Sequence, residues 1–261
     1  MRIKKYTVIG IGVIIALSAL IARPAWAEPI TFYGSGTNAF TGQGISAKAM
    51  FDYAGSNLYI TLTNTGPGVI APSDVLTALF FNISGDPILT PLSAIVAPGS
   101  SVLYGGTDPG NGVGGEWAYK TGLNGIPGGA SQGISSTGLG TEENPLFGPH
   151  YLFPGTNLQG PVSPDGVQYG IVSGVSPDGN SAVTGSNALI QSSVLFLLSG
   201  LQSNFSPDQI SNVWFQYGTN LSEPSIPGNP VPEPATMLLL GSGLVGLAGF
   251  GRKKFQKQTV S

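Results

Sequence analysis

Alternating apolar and polar residues in the first third of the chain predict a β-hairpin. In residues 58–63 (LYITLT), the side chains of Leu58, Ile60 and Leu62 fall on one face of an extended strand, and the residues between them fall on the other. Residues 45–53 form a second segment of the same kind. The stretch AGSN between the two segments supplies residues that favour a tight turn.

Longer apolar runs predict strands with both faces buried. Residues 75–83 (VLTALFFNI) and 188–198 contain few polar side chains, which is typical of a central strand, although a short core helix gives the same pattern. Shorter segments at residues 101–104, 167–172 and 213–217 are predicted to be further strands. The tetrapeptide Ser-Pro-Asp-Gly occurs twice in the second half of the chain and predicts tight turns.

These short strands, separated by Gly-rich and Pro-rich turns, predict an all-β domain at residues 28–223, either a β-sandwich or a jelly-roll-like fold. Residues 105–160 show almost no alternation and many glycines. We expect long irregular loops there rather than packed strands, and we expect any binding site to lie in those loops. Residues 224–230 are predicted to be a short linker.

The balance of charges excludes several classes of partner. Residues 28–230 contain two basic side chains, Lys48 and Lys120, and twelve acidic ones, so their formal charge is 2 − 12 = −10. A domain with two cations cannot neutralise a phosphate backbone, which argues against nucleic-acid binding. The chain has no cysteine, so its stability cannot come from disulfides. Its 41% hydrophobic and 9% charged residues indicate a folded chain rather than a disordered one.

Candidate catalytic residues are few. His150 is the single histidine, and the chain has no G-x-S-x-G motif in which a serine nucleophile would stand. Glu116, next to Trp117 and Tyr119, is a candidate for glycoside chemistry or sugar stacking, and the acidic pair at residues 142–143 is another. No spacing distinguishes a pair of acids, and we therefore predict no catalytic residue, no cofactor and no enzymatic activity.

A calcium ion is the one metal that the composition favours. Asp108, Asn111 and Glu116 lie in one stretch (DPGNGVGGE), and their side-chain oxygens are the ligands that calcium prefers. The spacing departs from the EF-hand pattern, because Gly110 stands where a second Asp or Asn is required. These three residues are retained as calcium candidates only, and the lack of any thiol and of a second imidazole in the sequence argues against zinc.

The N-terminus carries the marks of a secretory signal peptide, which we assign to residues 1–27. Three basic side chains lie within the first five positions, an apolar run covers residues 8–21, and Ala25 and Ala27 stand where signal peptidase requires small side chains. We therefore expect signal peptidase to release a mature chain that begins near Glu28. The alternative is an uncleaved N-terminal anchor helix.

A second apolar segment lies near the C-terminus. Residues 235–250 carry no charge, and as a helix they would span about 24 Å, which is less than the roughly 30 Å of a bilayer core. The basic tail at residues 252–257 should stay on the cytoplasmic side. Pro232 and Pro234 favour an extended approach that a processing enzyme could grip outside the inner membrane. The alternative is an ordinary transmembrane anchor that stays intact.

The order of these parts resembles the PEP-CTERM sorting signal of Gram-negative bacteria, here at residues 231–256. That signal consists of a Pro-Glu-Pro motif, a short transmembrane helix and a basic end. The matching motif and stop residues are Pro232, Glu233, Pro234, Arg252, Lys253 and Lys254. The resemblance implies processing by an exosortase, a membrane transpeptidase-like enzyme, and delivery to the cell surface or extracellular matrix.

We therefore expect an exported protein of a Gram-negative bacterium with a structural or adhesive role in an exopolysaccharide matrix, such as a biofilm. A carbohydrate-binding module is the alternative, and a glycoside hydrolase-like enzyme is the third reading. The expected partners are signal peptidase, an exosortase and exopolysaccharide, with the inner membrane contacted in transit.

Overall fold

A computed structural model describes residues 28–105, 112–141, 144–147 and 166–232 of the chain. In these residues the regular structure is β-strand, with short 3₁₀ turns such as Pro72–Asp74 and Pro207–Gln209, so the predicted all-β class is confirmed. The strands are β1 (Ile30–Thr37), β2 (Gly44–Ala54), β3 (Asn57–Asn64), β4 (Leu76–Ile83), β5 (Thr90–Val96), β6 (Ser101–Leu103), β7 (Ala118–Thr121), β8 (Gln132–Ser135), β9 (Gly140–Thr141), β10 (Asn144–Pro145), β11 (Ile171–Val172), β12 (Leu189–Gln191), β13 (Ser193–Ser199), β14 (Ile210–Tyr217), β15 (Ser225–Pro227) and β16 (Asn229–Pro230).

The first sheet has the order β16-β1-β2-β3-β13-β5, and each neighbouring pair is antiparallel. The predicted hairpin is confirmed as β2 and β3, whose register from Ala54 to Asn57 leaves a two-residue turn. Gly55 in that turn has a φ of 60°, a conformation that glycine adopts without strain. Along β3, residues alternate between half-buried and buried, as the pattern at residues 58–63 predicts.

The second sheet follows the path β15-β14-β4-β11-β12-β6, and β8 and β7 extend it from the flank of β4. The run predicted at residues 75–83 is the strand β4 and not a helix. Both of its faces are buried because the sheet carries a core on each side: Leu79 and Phe81 belong to the main core, whereas Ala78 and Phe80 belong to a second apolar cluster.

The main core lies between the two sheets, which pack face to face as in a β-sandwich. Phe51 on β2 contacts Phe81 on β4 edge to face, with 5.5 Å between ring centroids. Trp117, just before β7, contacts Phe196 on β13 in the same way at 4.9 Å. These pairs join strands of opposite sheets and bury large aromatic surfaces between them.

The expectation of unpacked loops throughout residues 105–160 is wrong for residues 112–141. This part of the Gly-rich segment forms β7 and β8, and it covers the outer face of β4. Its glycines permit close packing: a Cβ on Gly133 would lie 2.6 Å from the Phe80 ring, and one on Gly128 would overlap Trp214. Residues 106–111, 142–143 and 148–160 lie outside the described residues.

The apolar run at residues 188–198 is two strands that belong to different sheets. β12 lies in the second sheet and β13 in the first, and Ser192 between them has a φ of 85°. A neighbouring segment makes the same crossing in the opposite direction, from β5 to β6. Strands that bend from one sheet into the other form the corners of a sandwich.

A third crossing replaces the linker predicted at residues 224–230. β15 pairs with β14 in the second sheet, and β16 pairs with β1 in the first. The β15–β16 crossing joins the outermost strands of the two sheets at one edge of the sandwich. The β5–β6 crossing joins them at the other edge. These crossings link the two sheets covalently, while β5, β6, β15 and β16 remain the outermost strands of the described sheets.

The strand predicted at residues 167–172 is shorter than expected, and one of the two predicted Ser-Pro-Asp-Gly turns is described by the structure. The strand predicted at residues 167–172 is limited to β11, because residues 166–169 form a turn in which Tyr169 has a φ of 54°. The second Ser-Pro-Asp-Gly copy is a turn, closed by a 3.0 Å hydrogen bond from the Gly179 N–H to the Ser176 carbonyl oxygen. Most of the first copy lies outside the described residues.

The predicted signal peptide at residues 1–27 and the predicted transmembrane helix at 235–250 both lie outside the described residues. Among the residues that the structure does describe, none forms a helix with the length and apolar character needed to cross a membrane.

Candidate functional site

The C-terminal motif follows the folded body without a spacer. Pro230 on β16 pairs with Phe32 on β1, and the backbone N–H of Val231 donates a 2.8 Å hydrogen bond to the carbonyl oxygen of Thr31. Pro232 comes next and is exposed. The first residue of the Pro-Glu-Pro motif, Pro232, therefore directly follows a residue whose backbone is hydrogen-bonded to the body.

The crossing strand that leads to the motif is held firmly. Ile226 on β15 is buried opposite Phe215, and the Gly228 N–H donates a 2.8 Å hydrogen bond to the Val213 carbonyl oxygen. Glycine on β1 permits this close approach, because a Cβ on Gly34 would lie 2.6 Å from the Pro227 carbonyl oxygen. The segment from β15 to β16 is therefore part of the body and cannot act as a flexible tether.

A cleft of about 470 Å³ opens beside the motif, and residues from both ends of the described body line it. Its walls come from three separate parts of the chain: the start of the described region, the 3₁₀ turn before β14, and residues 230–232 at the end of the described region. The lining residues are Glu28, Pro29, Ile30, Ser206, Pro207, Pro230, Val231 and Pro232. The predicted mature N-terminus and the sorting motif thus leave the body at the same corner.

Residues 231–232, where the chain leaves the body, have properties that suit binding by another protein. Val231 is 45% exposed although it is apolar, and Pro232 has no N–H with which to pair intramolecularly. A peptide held extended and short of internal hydrogen bonds is suited to binding in an enzyme groove. The remaining motif residues, Glu233 and Pro234, lie outside the described residues, as do the stop residues Arg252, Lys253 and Lys254.

Of the three calcium candidates, Glu116 alone lies among the described residues. Glu116 is 2% exposed, and its backbone N–H donates a 3.0 Å hydrogen bond to the Val113 carbonyl oxygen. Asp108 and Asn111 lie outside the described residues. Within the described ranges, no three His, Cys, Asp or Glu side chains form a group that could hold a metal ion.

The aromatic residues considered for sugar stacking are buried. Trp117 has no exposed surface and packs on Phe196, while Tyr119 is 3% exposed. The Tyr119 hydroxyl donates a 2.9 Å hydrogen bond to Oε1 of Gln132, and burial raises the pKa of this phenol. A sugar stacks on an accessible ring face, which neither of these two candidate rings offers.

A buried carboxylate that the sequence pattern did not reveal holds two loops together. Asp74 is 1% exposed and accepts hydrogen bonds from Nδ2 of Asn38 at 2.6 Å and from Oγ1 of Thr41 at 2.7 Å. It also accepts the backbone N–H groups of Ile70 and Ala71, at 3.1 and 3.2 Å. Four donors occupy its oxygens, so Asp74 has a structural role. Its position in Pro-Ser-Asp was the available signal, since Asp favours such turns.

The other residues singled out by sequence fall on undescribed parts of the chain. His150, the acidic pair at 142–143, and the signal-cleavage residues Ala25 and Ala27 all lie outside the described residues. Conversely, sequence reasoning did not anticipate the cleft residues Ser206 and Pro207. Their only signal was a Ser-Pro-Asp turn, which gives no indication of what the turn packs against.

Comparison with known families identifies the C-terminal segment. A family model described as the PEP-CTERM protein-sorting motif matches residues 230–253, so the chain carries this motif. The match begins at Pro230 on β16 and includes Val231 and Pro232 at the cleft. No curated protein and no solved structure gives a significant match to the chain. The motif implies export, processing by an exosortase and membrane-associated sorting to the cell surface.

Proposed function

We propose that this chain is a non-enzymatic building block of the cell surface or extracellular matrix of a Gram-negative bacterium, with a structural or adhesive role in exopolysaccharide. The observation that carries the proposal is the PEP-CTERM motif at residues 230–253, joined without a spacer to a folded all-β body. In this proposal the motif directs delivery, and the β-sandwich is the cargo that remains at the surface.

The construction of the body supports a structural role. Disulfides are absent from the sequence, so stability outside the cell must come from burial and backbone pairing. The crossings at 90–103 and 225–230 join the two sheets covalently at both edges of the sandwich. A domain stabilised in this way is suited to a structural role in an extracellular matrix.

The acidic residues that the structure describes also favour a structural role over a catalytic one. Asp74 uses both carboxylate oxygens to hold loops, and Asp86 accepts hydrogen bonds from Ser131 and Gln132. Glu223 accepts the backbone N–H groups of Thr219 and Asn220. Side chains committed to loop stabilisation in this way are not poised as the paired acids of a glycosidase.

The proposal is tested by mass spectrometry of the native protein from its own host, with cell fractions analysed separately. We expect a mature N-terminus near Glu28, loss of the basic tail that contains Lys253 and Lys254, and recovery from the surface or matrix fraction. Recovery of a stable inner-membrane form that keeps both lysines would contradict the proposal. A matched strain lacking exosortase should accumulate that unprocessed form.

A further inference from the structure

A second cavity opens at one end of the sandwich, among three loops that carry no part of the sorting motif. These loops connect β1 to β2, β3 to β4 and β11 to β12. The cavity measures about 310 Å³, which falls within the range of about 300–1,000 Å³ of small-molecule sites. The residues that line it, here called the loop pocket, are Gln43, Pro67, Gly68, Ile70 and Gly174–Ser176.

Buried hydrogen bonds hold the β1–β2 turn in place beside the loop pocket. Asn38 has no exposed surface, and its Nδ2 donates a hydrogen bond to the buried Asp74 carboxylate at 2.6 Å. The Asn38 backbone N–H donates to the Gln43 carbonyl oxygen at 2.8 Å, which closes the turn. Oγ1 of Thr41 adds a 2.7 Å hydrogen bond to Asp74. The turn that carries Gln43 is therefore fixed by the folded body.

The other two loops are hydrogen-bonded to each other. The Val69 N–H donates a 3.0 Å hydrogen bond to the Gly174 carbonyl oxygen, and the Ser176 N–H donates one of the same length to the Val69 carbonyl oxygen. The Asn180 N–H donates to the Ile70 carbonyl oxygen at 2.7 Å. A pocket built from loops linked in this way is preformed, so a ligand does not have to order them.

Two polar side chains in the loop pocket are available to a ligand. Gln43 and Ser176 are half-buried, and neither the Gln43 amide nor the Ser176 hydroxyl hydrogen-bonds to another residue in the part of the chain that the structure describes. Amides and hydroxyls without internal partners can donate hydrogen bonds to a ligand and accept them from it. Pro67, Ile70 and Val175 supply apolar walls beside these groups.

An exposed aromatic ring lies in the turn that carries Gln43. Phe40 is 68% exposed, although its backbone is fixed by a 2.9 Å hydrogen bond from its N–H to Oδ1 of Asn38. It lies three positions before Gln43, so the two Cα atoms are no more than about 11 Å apart. This end of the sandwich therefore combines unpaired polar groups with an accessible ring face.

The charge of the loop pocket favours an uncharged ligand. None of its lining residues is charged. Both basic side chains of residues 28–230, Lys48 and Lys120, lie outside the lining. The Asp74 carboxylate behind the turn is occupied by hydrogen bonds from the protein. An anionic or a cationic ligand would therefore lack a countercharge in this pocket.

We propose that the loop pocket and Phe40 bind a neutral sugar unit of an exopolysaccharide chain. The inference rests on the proposed function and adds to it a ligand class and the residues that bind it. A pyranose ring carries hydroxyl groups at its edge and C–H groups on its faces. The hydroxyl groups hydrogen-bond to the Gln43 amide and the Ser176 hydroxyl, and a C–H face packs on the Phe40 ring.

The test measures binding of the protein, purified from its host, to exopolysaccharide isolated from the same host. Affinity electrophoresis in native gels with increasing polysaccharide gives the Kd. We expect saturable retardation of the wild type, and we expect Phe40→Ala and Gln43→Ala each to raise the Kd about fivefold or more. Phe40→Tyr keeps the ring face and should stay within about twofold of wild type.

Matched controls lie at the opposite end of the sandwich. The loop pocket adjoins the starts of β2 and β4, whereas Ile88 follows the end of β4 and Gln202 lies near the β2–β3 turn, where the Leu201 N–H donates to the Ser56 carbonyl oxygen. Both side chains are exposed. Ile88→Ala and Gln202→Ala should each leave the Kd within about twofold of wild type. Thermal melting followed by circular dichroism verifies that each variant is folded.

Charged substitutions at Gln43 test the neutral character of the ligand. Gln43→Glu and Gln43→Lys should both weaken binding, because each places an unpaired charge in a partly desolvated pocket. Tighter binding by either variant would overturn the inference in favour of a charged ligand.

Two further results would overturn the inference while leaving the proposed delivery to the surface intact. Wild type that exopolysaccharide does not retard would exclude this ligand. Unchanged Kd values for Phe40→Ala and Gln43→Ala would place the binding on another surface. Failure of the proposed function is seen separately, as a chain that stays in the inner membrane and keeps Lys253 and Lys254.

Discussion

The backbone N–H of Val231 lies 2.8 Å from the carbonyl oxygen of Thr31 and donates a hydrogen bond to it, so the start of the sorting signal is held against the first strand of the body. Thr31 lies close to the start of the described body, and Val231 lies within the matched sorting motif. The two ends of the described body therefore meet at one corner, and the stability of that corner depends on the crossing strand from β15 to β16.

We predict that Gly34→Ala destabilises this corner. The new Cβ would lie 2.6 Å from the Pro227 carbonyl oxygen and 3.0 Å from the Phe215 ring, so the crossing strand must shift. Overpacking of this kind costs about 1–3 kcal/mol, which should lower the Tm by roughly 2–10 °C for a domain of this size. Thermal unfolding followed by circular dichroism measures the change.

Gly44→Ala is the matched control for Gly34→Ala. Gly44 also lies in the first sheet, but the nearest atom to its Cβ would be 3.9 Å away. Its Tm should stay within a few degrees of wild type. Equal Tm values for the two variants would show that β15 and β16 do not press against β1 as described.

We predict that Asp74→Ala is among the most destabilising changes at an acidic residue. It removes the acceptor of the Thr41 hydroxyl and of the backbone N–H groups of Ile70 and Ala71, whereas the Asn38 amide keeps hydrogen bonds to Ser73. Each unsatisfied buried donor costs about 1–3 kcal/mol, so a total loss of about 3–5 kcal/mol is expected after partial relaxation. Chemical denaturation gives this free energy of unfolding.

Asp208→Ala serves as the control for Asp74→Ala, since Asp208 is exposed in the 3₁₀ turn Pro207–Gln209. Its free energy of unfolding should change by no more than about 0.5 kcal/mol. A loss at Asp74 as small as that at Asp208 would argue that water reaches the buried carboxylate site.

We predict that Tyr217→Phe reduces the sensitivity of the fold to alkaline pH. Burial raises the pKa of Tyr217 above that of an unfolded tyrosine, which is about 10. The unfolded chain therefore loses this proton first, so stability is complete below pH 10 and falls at higher pH by about 1.4 kcal/mol per pH unit. Removing the phenol removes that contribution from the slope, which urea denaturation between pH 9 and 11 can measure.

The same substitution should be neutral or slightly stabilising at pH 7. The Tyr217 hydroxyl is buried without a hydrogen-bond partner among the described residues, so its removal relieves a desolvated polar group. Tyr104→Phe is the control at pH 7, because Tyr104 is 50% exposed and removal of its hydroxyl should change the free energy of unfolding by no more than about 0.5 kcal/mol. A loss of more than about 1 kcal/mol for Tyr217→Phe at pH 7 would show that the Tyr217 hydroxyl has a hydrogen-bond partner.

We predict that Trp117→Ala lowers the free energy of unfolding because it truncates a buried side chain, and not because it removes a sugar-binding residue. Trp117 is the largest fully buried side chain and contacts Phe196, so truncation should cost about 3–5 kcal/mol. Phe40→Ala, at a ring that is 68% exposed, should cost less than about 1 kcal/mol. A glycan array with the milder Trp117→Phe variant completes the test. Saturable binding in wild type that this folded variant loses would support the carbohydrate-binding alternative.

Local pattern was sufficient for part of the fold. The alternation at residues 58–63 reports directly which side chains of β3 are buried, and the AGSN stretch specifies the two-residue turn before it. The same reasoning placed β4 as a strand with two buried faces. It could not show why both faces are buried, since the second apolar cluster is built from the Gly-rich segment 112–141.

Glycine and proline were the residues that local reasoning misread. A glycine signals backbone freedom, but it equally permits close approach, and only the neighbouring Phe80 and Pro227 show that Gly133 and Gly34 serve the second purpose. Pro-rich residues 224–230 read as a linker for the same reason, because proline is compatible with both a linker and the edge of a sheet.

The sequence by itself determined the all-β class, the central hairpin, the acidic and cysteine-free character of the body, and the PEP-CTERM motif. These properties depend on side-chain periodicity, composition and a contiguous pattern of residues. Only the tertiary structure decided that residues 188–199 and 225–230 cross between sheets, that Asp74 joins two loops, and that the motif adjoins a cleft. Periodicity reports which face of a strand is buried. The sheet that the strand joins and the residues that it contacts are set by packing between segments far apart in the chain.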